Sequence, residues 1–205
     1  MSEYYYFYPK WLRLWHVLNA LLCLALIVTG VSMQYTTHVN SLIRFDIAVN
    51  IHNYCGVALT ATYFLFFGGN LLTSNGRHYL LKRKGIFRDI IKQFHYYSLG
   101  IFKKRQPPFP LNENRKFNPL QQFSYVIIMY ICMPFIFITG WALLFPEVIL
   151  EKFLGFDGLQ MTDFFHIVLG FIITLFLIIH IYFSTIGIRK SNNFISIITG
   201  WHRSH

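Results

Sequence analysis

Four long apolar stretches without any Lys, Arg, Asp or Glu dominate the pattern of hydrophobic and polar positions in this chain. They run over about residues 14–34, 51–72, 120–145 and 164–186. Each meets the length of roughly 20 residues that a helix needs to cross the hydrocarbon of a bilayer. Because backbone polar groups find no partners in lipid, these stretches are predicted to be helices. The pattern predicts an all-α membrane protein, a four-transmembrane-helix bundle that forms one domain over residues 1–205.

The segment between the second and third stretches, residues 74–119, shows a different pattern. Between Ile86 and Phe94, apolar residues recur at helical spacing, while basic and amide residues fill the opposite face. This predicts an amphipathic interfacial helix that lies on the membrane surface. The segment Gln106–Pro110 contains three prolines and cannot continue that helix, so it is expected to be a stiff connector.

The composition supports a membrane location. Of the 205 residues, 55% are hydrophobic and 13% are charged, whereas a soluble domain normally carries about 25% charged residues. Aromatic residues make up 19%, which suits interfacial belts and packing around a flat apolar ligand. The first apolar stretch is too long for a typical signal peptide, and no A-x-A cleavage site follows it, so we expect it to be retained.

Basic residues are distributed very unevenly along the chain. Sixteen of the 18 Lys and Arg residues lie in the N-terminal segment, the loop 74–119 and the C-terminal tail, and only Arg44 and Lys152 lie elsewhere. The positive-inside rule therefore predicts that both termini and this loop face the cytoplasm. The net charge of +10 is explained by this topology and by anionic lipid headgroups. No nucleic-acid-binding motif accompanies it, so nucleic acid is not an expected partner.

Four histidines interrupt the apolar stretches, where an ionisable side chain is costly and usually functional. On the predicted topology, His16 and His180 lie near the cytoplasmic side, and His52 and His166 lie near the outer side. His166 and His180 are 14 residues apart, so they share nearly one helix face at a separation of roughly 21 Å. A single membrane histidine is as often a packed, hydrogen-bonded residue as a ligand. The paired depths favour ligation of two stacked haem irons, for which imidazole is a good ligand.

Small residues accompany the histidines. Gly56 and Gly170 each follow a histidine by four positions, where a missing side chain would let a porphyrin approach the helix. Gly30 and Gly140 each follow a threonine. For these two glycines, ordinary close packing of helices is as good an explanation as a position beside a porphyrin. The remaining five histidines are expected at the solvated surface: His38, His78, His95, His202 and His205.

The cysteines exclude two other kinds of redox centre. Cys23, Cys55 and Cys132 lie in apolar stretches and form no C-x-x-C or C-x-x-C-H motif. Covalent c-type haem and iron–sulfur clusters are therefore not expected. Small buried thiols are the simpler interpretation, and no disulfide framework is implied.

Several short motifs surround the four histidines. Arg13-Leu-Trp-His16-Val-Leu-Asn19 opens the first stretch, His52-x-x-x-Gly56 lies in the second, and His166-x-x-x-Gly170 and His180-Ile-Tyr182 lie in the fourth. Asn118-Pro-Leu-Gln121 leads into the third, and Ile198-Thr-Gly200 lies in the tail. With these motifs the chain resembles the di-haem b-type cytochrome subunits of membrane-bound formate dehydrogenases, nickel–iron hydrogenases and thiosulfate reductases. The likeness covers nearly the whole chain, although Val17 stands where that family usually has Trp.

The resemblance implies two haem b groups. His16 and His180 would ligate the iron of the inner haem, and His52 and His166 that of the outer haem. It further implies electron exchange with a quinone (menaquinone or ubiquinone) near the inner haem. The expected outer partner is an extracytoplasmic iron–sulfur, molybdenum, hydrogenase or multihaem cytochrome subunit. The expected location is the bacterial inner membrane, with both termini cytoplasmic.

Four further side chains have two interpretations each. Asn118 and Gln121 are placed to hydrogen-bond a quinone carbonyl, or they form a helix cap and a polar interface residue. Arg13 lies one turn before the first histidine and would pair with a haem propionate, serve as a positive-inside anchor, or do both. Arg44, together with His38, is a weaker candidate for an outer propionate or the surface of the partner.

Two other functions remain open. The first is a free-standing di-haem transmembrane reductase of the ascorbate, ferric or superoxide type, which would need no partner enzyme. The second is a small transporter that uses the histidines as a proton relay, and the lack of Asp and Glu within the apolar stretches argues against it. No acid–base or nucleophilic constellation is visible, and the outer connecting segments are too short to form a catalytic domain. The sequence therefore predicts an electron-transfer subunit with a separate catalytic partner.

Overall fold

The computed structural model describes residues 4–37, 42–81, 84–103, 105–112, 115–186 and 191–203. Four helices in it are long and apolar enough to cross a membrane: α1 (Lys10–Tyr35), α2 (Phe45–Leu72), the third-span helix (Pro119–Leu144) and α6 (Gly158–Ser184). They correspond to the four predicted stretches and confirm the all-α membrane architecture. The helix α2 begins earlier than its apolar stretch because Asp46 is favourable in a first turn, where it faces the positive end of the helix dipole.

The third-span helix is not uniform. It consists of α4 (Pro119–Ile127), a π-helical turn (Ile128–Cys132) and α5 (Met133–Leu144). Pro134 lies two residues after the end of the π turn and has no N–H to donate, so the wider turn accommodates a proline inside a membrane helix. Such π turns are single, local features that often lie near functional sites.

The remaining elements are short. They are β1 (Tyr4–Tyr6), α3 (Ile86–His95), β2 (Lys152–Phe153), β3 (Phe156–Asp157), α7 (Asn192–Thr199) and β4 (Trp201–Arg203). The predicted amphipathic helix is α3. Its apolar side chains Phe87, Ile91 and Phe94 are exposed, while its amide Gln93 is buried. An uncovered apolar face on a helix of this kind is typical of an interfacial helix.

The chain divides into two compact units. The terminal unit comprises Met1–Arg13, Gly68–Ile131 and His180–His205, and the middle unit comprises Leu14–Phe67 and Cys132–Ile179. The prediction of one domain over the whole chain stays a prediction, and the two units are described separately below.

In the terminal unit, the C-terminal tail returns to the start of the chain. Strand β4 pairs antiparallel with β1, and the amides of Phe7 and Tyr8 donate to the carbonyl of Gly200 at 3.0 and 3.3 Å. Gly200 ends α7 with a φ of +90°, and a Cβ at this position would lie 2.7 Å from the Tyr8 carbonyl oxygen. Arg13 Nη1 donates to the carbonyl of Thr199 at 2.6 Å. The closing turn therefore requires glycine.

One histidine of the tail is buried, contrary to the prediction of a solvated surface. His202 is 5% exposed, its Nδ1 lies 3.1 Å from Ser196 Oγ, and its ring stacks on Phe7. The reason is the pairing of β1 with β4, which covers this part of the tail. His95 is exposed as predicted, and His78 is half-buried. His38 and His205 lie outside the described residues.

The middle unit has a small aromatic core. Phe66 is fully buried and stacks on Trp15 with ring centroids 4.3 Å apart, and Tyr63 meets Phe137 edge-on at 5.1 Å. Much of the remaining apolar surface is uncovered, and none of the most apolar part of α6 is buried within the protein. Exposed apolar area of this extent indicates contact with lipid rather than with water.

Candidate haem site

Two of the four predicted ligands lie together in the middle unit. The imidazole rings of His52, from α2, and His166, from α6, have centroids 6.2 Å apart. A bond from a metal to imidazole nitrogen is about 2.0 Å, and that nitrogen lies about 1.1 Å from the ring centroid, so two imidazoles on opposite sides of one metal ion have centroids about 6.2 Å apart. The observed separation therefore fits a single iron held between these two rings.

Each of these rings contacts a threonine on a neighbouring helix. Thr29 Oγ1 lies 2.9 Å from Nδ1 of His52, and Thr139 Oγ1 lies 2.9 Å from Nδ1 of His166. Both contacts use Nδ1, so Nε2 of each ring remains for a metal. Neither threonine was among the residues predicted as part of the site.

The direction of these hydrogen bonds follows from the rest of the threonine contacts. Each hydroxyl donates its proton to a carbonyl of its own helix, Thr29 to Ala25 at 2.7 Å and Thr139 to Phe135 at 3.0 Å. A hydroxyl whose proton is already donated can only accept from the ring. The proton of each imidazole therefore lies on Nδ1, and Nε2 carries the lone pair that a metal requires.

Gly30 and Gly140 both lie against the imidazole rings, at different distances. A Cβ at Gly140 would lie 3.1 Å from Cε1 of His166, which is closer than an ordinary contact, whereas a Cβ at Gly30 would lie 3.5 Å from Cε1 of His52, an ordinary van der Waals distance. Gly140 therefore makes room for an imidazole ring, while an alanine would fit at Gly30.

The space next to the ligands is open where a porphyrin was predicted to approach. No atom of the described residues lies within 4 Å of a Cβ placed at Gly56, and the nearest described atom to one at Gly170 is Ile136 Cδ1 at 3.9 Å. Open space one turn along from two facing imidazoles fits a flat macrocycle around the metal. The residues in the middle unit thus fit a haem group.

The other two histidines lie in different units. His180 belongs to the terminal unit, where Tyr125 presents its hydroxyl 3.3 Å from Nδ1 of His180. His16 belongs to the middle unit and meets Trp15 edge-on, with ring centroids 6.5 Å apart. Their pairing as ligands of the inner haem stays a prediction.

Helix α1 carries several buried polar atoms that have no hydrogen-bond partner among the described residues. In the terminal unit this atom is Nε of Arg13, whose Nη1 bonds the tail. In the middle unit the atoms are Nε1 of Trp15 and Oδ1 of Asn19. Buried polar groups nearly always have a partner. An unpartnered guanidinium N–H suits an acceptor-only group such as the predicted haem propionate.

Asn118 and Gln121 form a helix cap. Asn118 Oδ1 accepts from the amide of Gln121 at 2.9 Å, and Gln121 Oε1 accepts from the amide of Asn118 at 3.2 Å, which makes a complete capping box. Asn118 Nδ2 donates to the hydroxyl of Tyr97 at 2.9 Å. The cap is therefore confirmed, whereas the role of these residues in binding a quinone stays a prediction. Among the described residues, Nε2 of Gln121 has no partner.

A buried lysine in the terminal unit was not anticipated. Lys116 is 2% exposed, and its ammonium donates to Asn75 Oδ1 at 2.8 Å while lying 4.6 Å from the ring centroid of Tyr8. Asn75 Nδ2 donates to Asn70 Oδ1 at 2.6 Å, and Asn70 Nδ2 to the hydroxyl of Tyr130 at 3.0 Å. Burial lowers the pKa of Lys116 to about 7.

Several titratable side chains of the terminal unit are neutral at pH 7. Burial raises the pKa of Tyr8 to about 12 and also raises the pKa values of Tyr79 and Tyr97. Burial, together with the positive charges of Lys116 and Arg77, lowers the pKa of His78 to about 4. In the sequence, Lys116 looks like the other basic residues of the loop, because no local pattern distinguishes a buried lysine from an exposed one.

Arg44, the weaker candidate for an outer propionate, already has an ion-pair partner. Arg44 forms an ion pair with Asp46, with its Nη2 2.8 Å from the carboxylate, and both side chains are exposed. Nothing in this arrangement directs Arg44 toward a buried ligand. His38 lies outside the described residues.

Comparison with known proteins identifies the family. The family model described as "Prokaryotic cytochrome b561" matches residues 7–200. This chain belongs to the prokaryotic cytochrome b561 family. The Escherichia coli (strain K12) protein described as "Putative cytochrome YdhU" is 35% identical over 206 residues, which cover 98% of this chain and 76% of that protein. No solved structure matches.

Membership of this family gives the chain its general function. The protein is a membrane cytochrome b, and its family implies haem b as cofactor and transmembrane electron transfer as activity. The apolar helices agree with a location in a bacterial inner membrane. The family does not distinguish how many haems are bound, or which donor and acceptor are used.

Proposed function

We propose that this cytochrome b is the di-haem membrane subunit of an electron-transfer complex that connects a quinone pool with an extracytoplasmic redox enzyme. The observation that supports it best is the 6.2 Å separation of the His52 and His166 rings. His180 lies on the same helix as His166, which provides a second ligand position from α6.

The outer haem would be held by His52 and His166. Their Nε2 atoms would ligate the iron, and the open positions at Gly56 and Gly170 would leave space for the porphyrin. Haem b, when bound, supplies one-electron chemistry between ferric and ferrous iron. The chain contributes ligand basicity, fixed ring orientation and an apolar surrounding that excludes water.

The inner haem would be held by His16 and His180. Arg13 supports this assignment because its buried Nε lacks a partner and suits a propionate. The predicted topology, with both termini and residues 74–119 in the cytoplasm, would place this haem on the cytoplasmic side.

A quinone site would lie in the terminal unit, near the start of the third-span helix. Quinone carbonyls accept hydrogen bonds, and Nε2 of Gln121 is an available donor at this helix end. Asn118 is a less direct candidate because both ends of its amide are already hydrogen-bonded. The buried amine of Lys116 is a further hydrogen-bond donor in the same unit.

The proposal of an outer partner rests on the size of the connection between the third and fourth spans. The connection between the third and fourth spans is a short hairpin of β2 and β3, too small for a catalytic domain. The classes of partner that fit an electron-transfer role are iron–sulfur, molybdenum, hydrogenase and multihaem cytochrome subunits.

Counting haems in single histidine variants tests the di-haem assignment. A pyridine haemochrome assay on purified protein should give two haem b per chain. His52→Ala and His166→Ala should each lose the same spectral component, and His16→Ala and His180→Ala should each lose the other. His95→Ala, at an exposed position, is the control and should keep both. A colourless wild type, or full pigment in a His166→Ala/His180→Ala variant, would contradict the proposal.

Partner and quinone are tested separately. Purification in mild detergent should yield an associated redox subunit, and a quinol analogue should reduce the haems of membranes more slowly in Gln121→Leu at unchanged haem content. A single chain that is fully active with ascorbate, ferric iron or superoxide would instead support a free-standing transmembrane reductase.

A further inference from the structure

The environment of the two outer histidines is built twice in the same way. Thr29 is followed by Gly30 on α1 and faces His52, and Thr139 is followed by a glycine on the third-span helix and faces His166. Both distances between hydroxyl and ring nitrogen are 2.9 Å. A single contact of this kind is common in a membrane protein, but two equivalent contacts on separate helix pairs indicate a shared requirement.

The remaining contacts of the two hydroxyls repeat as well. Thr29 Oγ1 lies within hydrogen-bond distance of the carbonyls of Ala25 and Leu26, and Thr139 Oγ1 of those of Phe135 and Ile136, four and three residues earlier on the same helix. A hydroxyl whose proton is already donated can only accept a hydrogen bond from the ring. Both threonine contacts therefore require the same tautomer, with the proton on Nδ1.

We propose that Thr29 and Thr139 are positioning residues that fix the tautomer and the ring orientation of His52 and His166 and thereby lower the redox potential of one haem. The inference rests on the proposed ligation of that haem by these two histidines. Donation of the second ring N–H makes an imidazole more basic, and a more basic ligand stabilises ferric iron relative to ferrous iron.

The two threonines act on one redox centre. His52 and His166 face each other at the separation expected across one metal ion, so a change at either threonine should affect the same haem. The Nδ1 atom of His180 meets the phenol of Tyr125 instead. Changes at the threonines should therefore leave the other haem unaffected.

Threonine-to-valine variants test this proposal. Valine has nearly the shape of threonine and removes the hydroxyl that accepts the ring proton. We expect Thr29→Val and Thr139→Val to keep wild-type haem content in the pyridine haemochrome assay. In an optical redox titration, each should raise the potential of the same one of two b-type components, and the double variant should raise it further.

Two controls distinguish this effect from a general helix defect. Thr62 is buried on α2, and its hydroxyl donates to the carbonyl of Leu59 at 2.9 Å, without a histidine contact. Thr62→Val should therefore shift neither component. Thr29→Ser and Thr139→Ser keep the hydroxyl and should restore a potential close to wild type.

The outcomes separate this proposal from the proposed function. A wild type with fewer than two b-type components would overturn the di-haem assignment, whatever the threonines do. If the wild type shows two components and neither valine variant shifts the potential of either one, the role of the threonines is overturned while the di-haem assignment stands. Valine variants that move different components would show that His52 and His166 do not share one haem, and this would overturn both.

Discussion

The hydroxyl oxygen of Tyr125 lies 3.3 Å from Nδ1 of His180, whereas the corresponding atoms of His52 and His166 each meet a threonine at 2.9 Å. A phenol is a stronger acid than an aliphatic alcohol and a weaker acceptor. The imidazole of His180 is therefore in a different hydrogen-bonding environment from the other two, and this difference would separate the properties of two haems.

Replacement of Tyr125 by Phe should change only the haem that we propose His180 to ligate. The ring of Tyr125 keeps its packing, so haem content should stay at the wild-type level while the potential of one b-type component shifts. Redox titration checks this, with Tyr35→Phe as a control because Tyr35 is exposed at the end of α1. A shift in the same component that Thr29→Val moves would show that the histidines are assigned to the wrong haems.

Lys116 should make the stability of the protein depend on pH above neutrality. Its pKa is about 7 in the folded chain and about 10.4 when unfolded. Between these values the unfolded state binds one more proton, so stability should rise with pH by at most about 1.4 kcal/mol per unit. Thermal unfolding in detergent between pH 7 and 10 should show this rise in the wild type.

The comparison variant for this measurement is Lys116→Met, which removes the titrating group while keeping an apolar side chain of similar length. It should show a smaller rise, whereas Lys103→Met, at an exposed loop position, should behave like the wild type. Equal pH dependence in the wild type and Lys116→Met would show that the ammonium is not destabilised by burial.

Gly56→Ala should lower haem content without harming the folded chain. A Cβ at this position meets no protein atom within 4 Å, so only a bound porphyrin would oppose it. Gly68→Ala is a matched control because Gly68 lies on the same helix and also meets nothing within 4 Å. Haem per chain and thermal stability of haem-free protein check the prediction. An equal haem content in both variants would place the porphyrin elsewhere.

Gly200→Ala should release the C-terminal tail. The substitution combines a φ of +90° with a contact of 2.7 Å to the Tyr8 carbonyl oxygen, and the backbone conformation alone costs about 1–2 kcal/mol for a residue with a Cβ. Limited proteolysis should cut the tail faster in Gly200→Ala than in the wild type. Gly155→Ala, at a φ of +87° with no described atom within 4 Å of its Cβ, measures the cost of the backbone conformation alone, so thermal unfolding should show a smaller loss of stability than in Gly200→Ala. Equal losses in the two variants would mean that the contact at Gly200 is relieved at no cost.

The helices that cross the membrane could be predicted closely because lipid acts on each segment independently. A stretch such as residues 51–72 must be apolar, about 20 residues long and helical whatever surrounds it. The histidines on these helices were found for the same reason, since an ionisable side chain in such a stretch stands out. The amphipathic helix α3 was predicted from a local period that needs no partner.

The roles of Thr29, Thr139 and Lys116 could not be predicted in this way. Thr29 and His52 are on different helices, and their contact depends on how α1 and α2 are rotated against each other. Lys116 is buried because Asn75 and the ring of Tyr8, both distant in sequence, lie against its ammonium. The adjacent Thr-Gly pairs at 29–30 and 139–140 were visible as a repeated feature, but helix packing explained them equally well.

The sequence by itself determined the membrane architecture and marked the four histidines as candidate ligands, because hydrophobicity and helix period are properties of each segment alone. Only the tertiary structure decided which side chains surround those histidines, which imidazole nitrogen is left for a metal, and which polar groups of the loop and tail are buried. These depend on the relative rotation and spacing of helices that are remote in the chain, and no local pattern of residues specifies them.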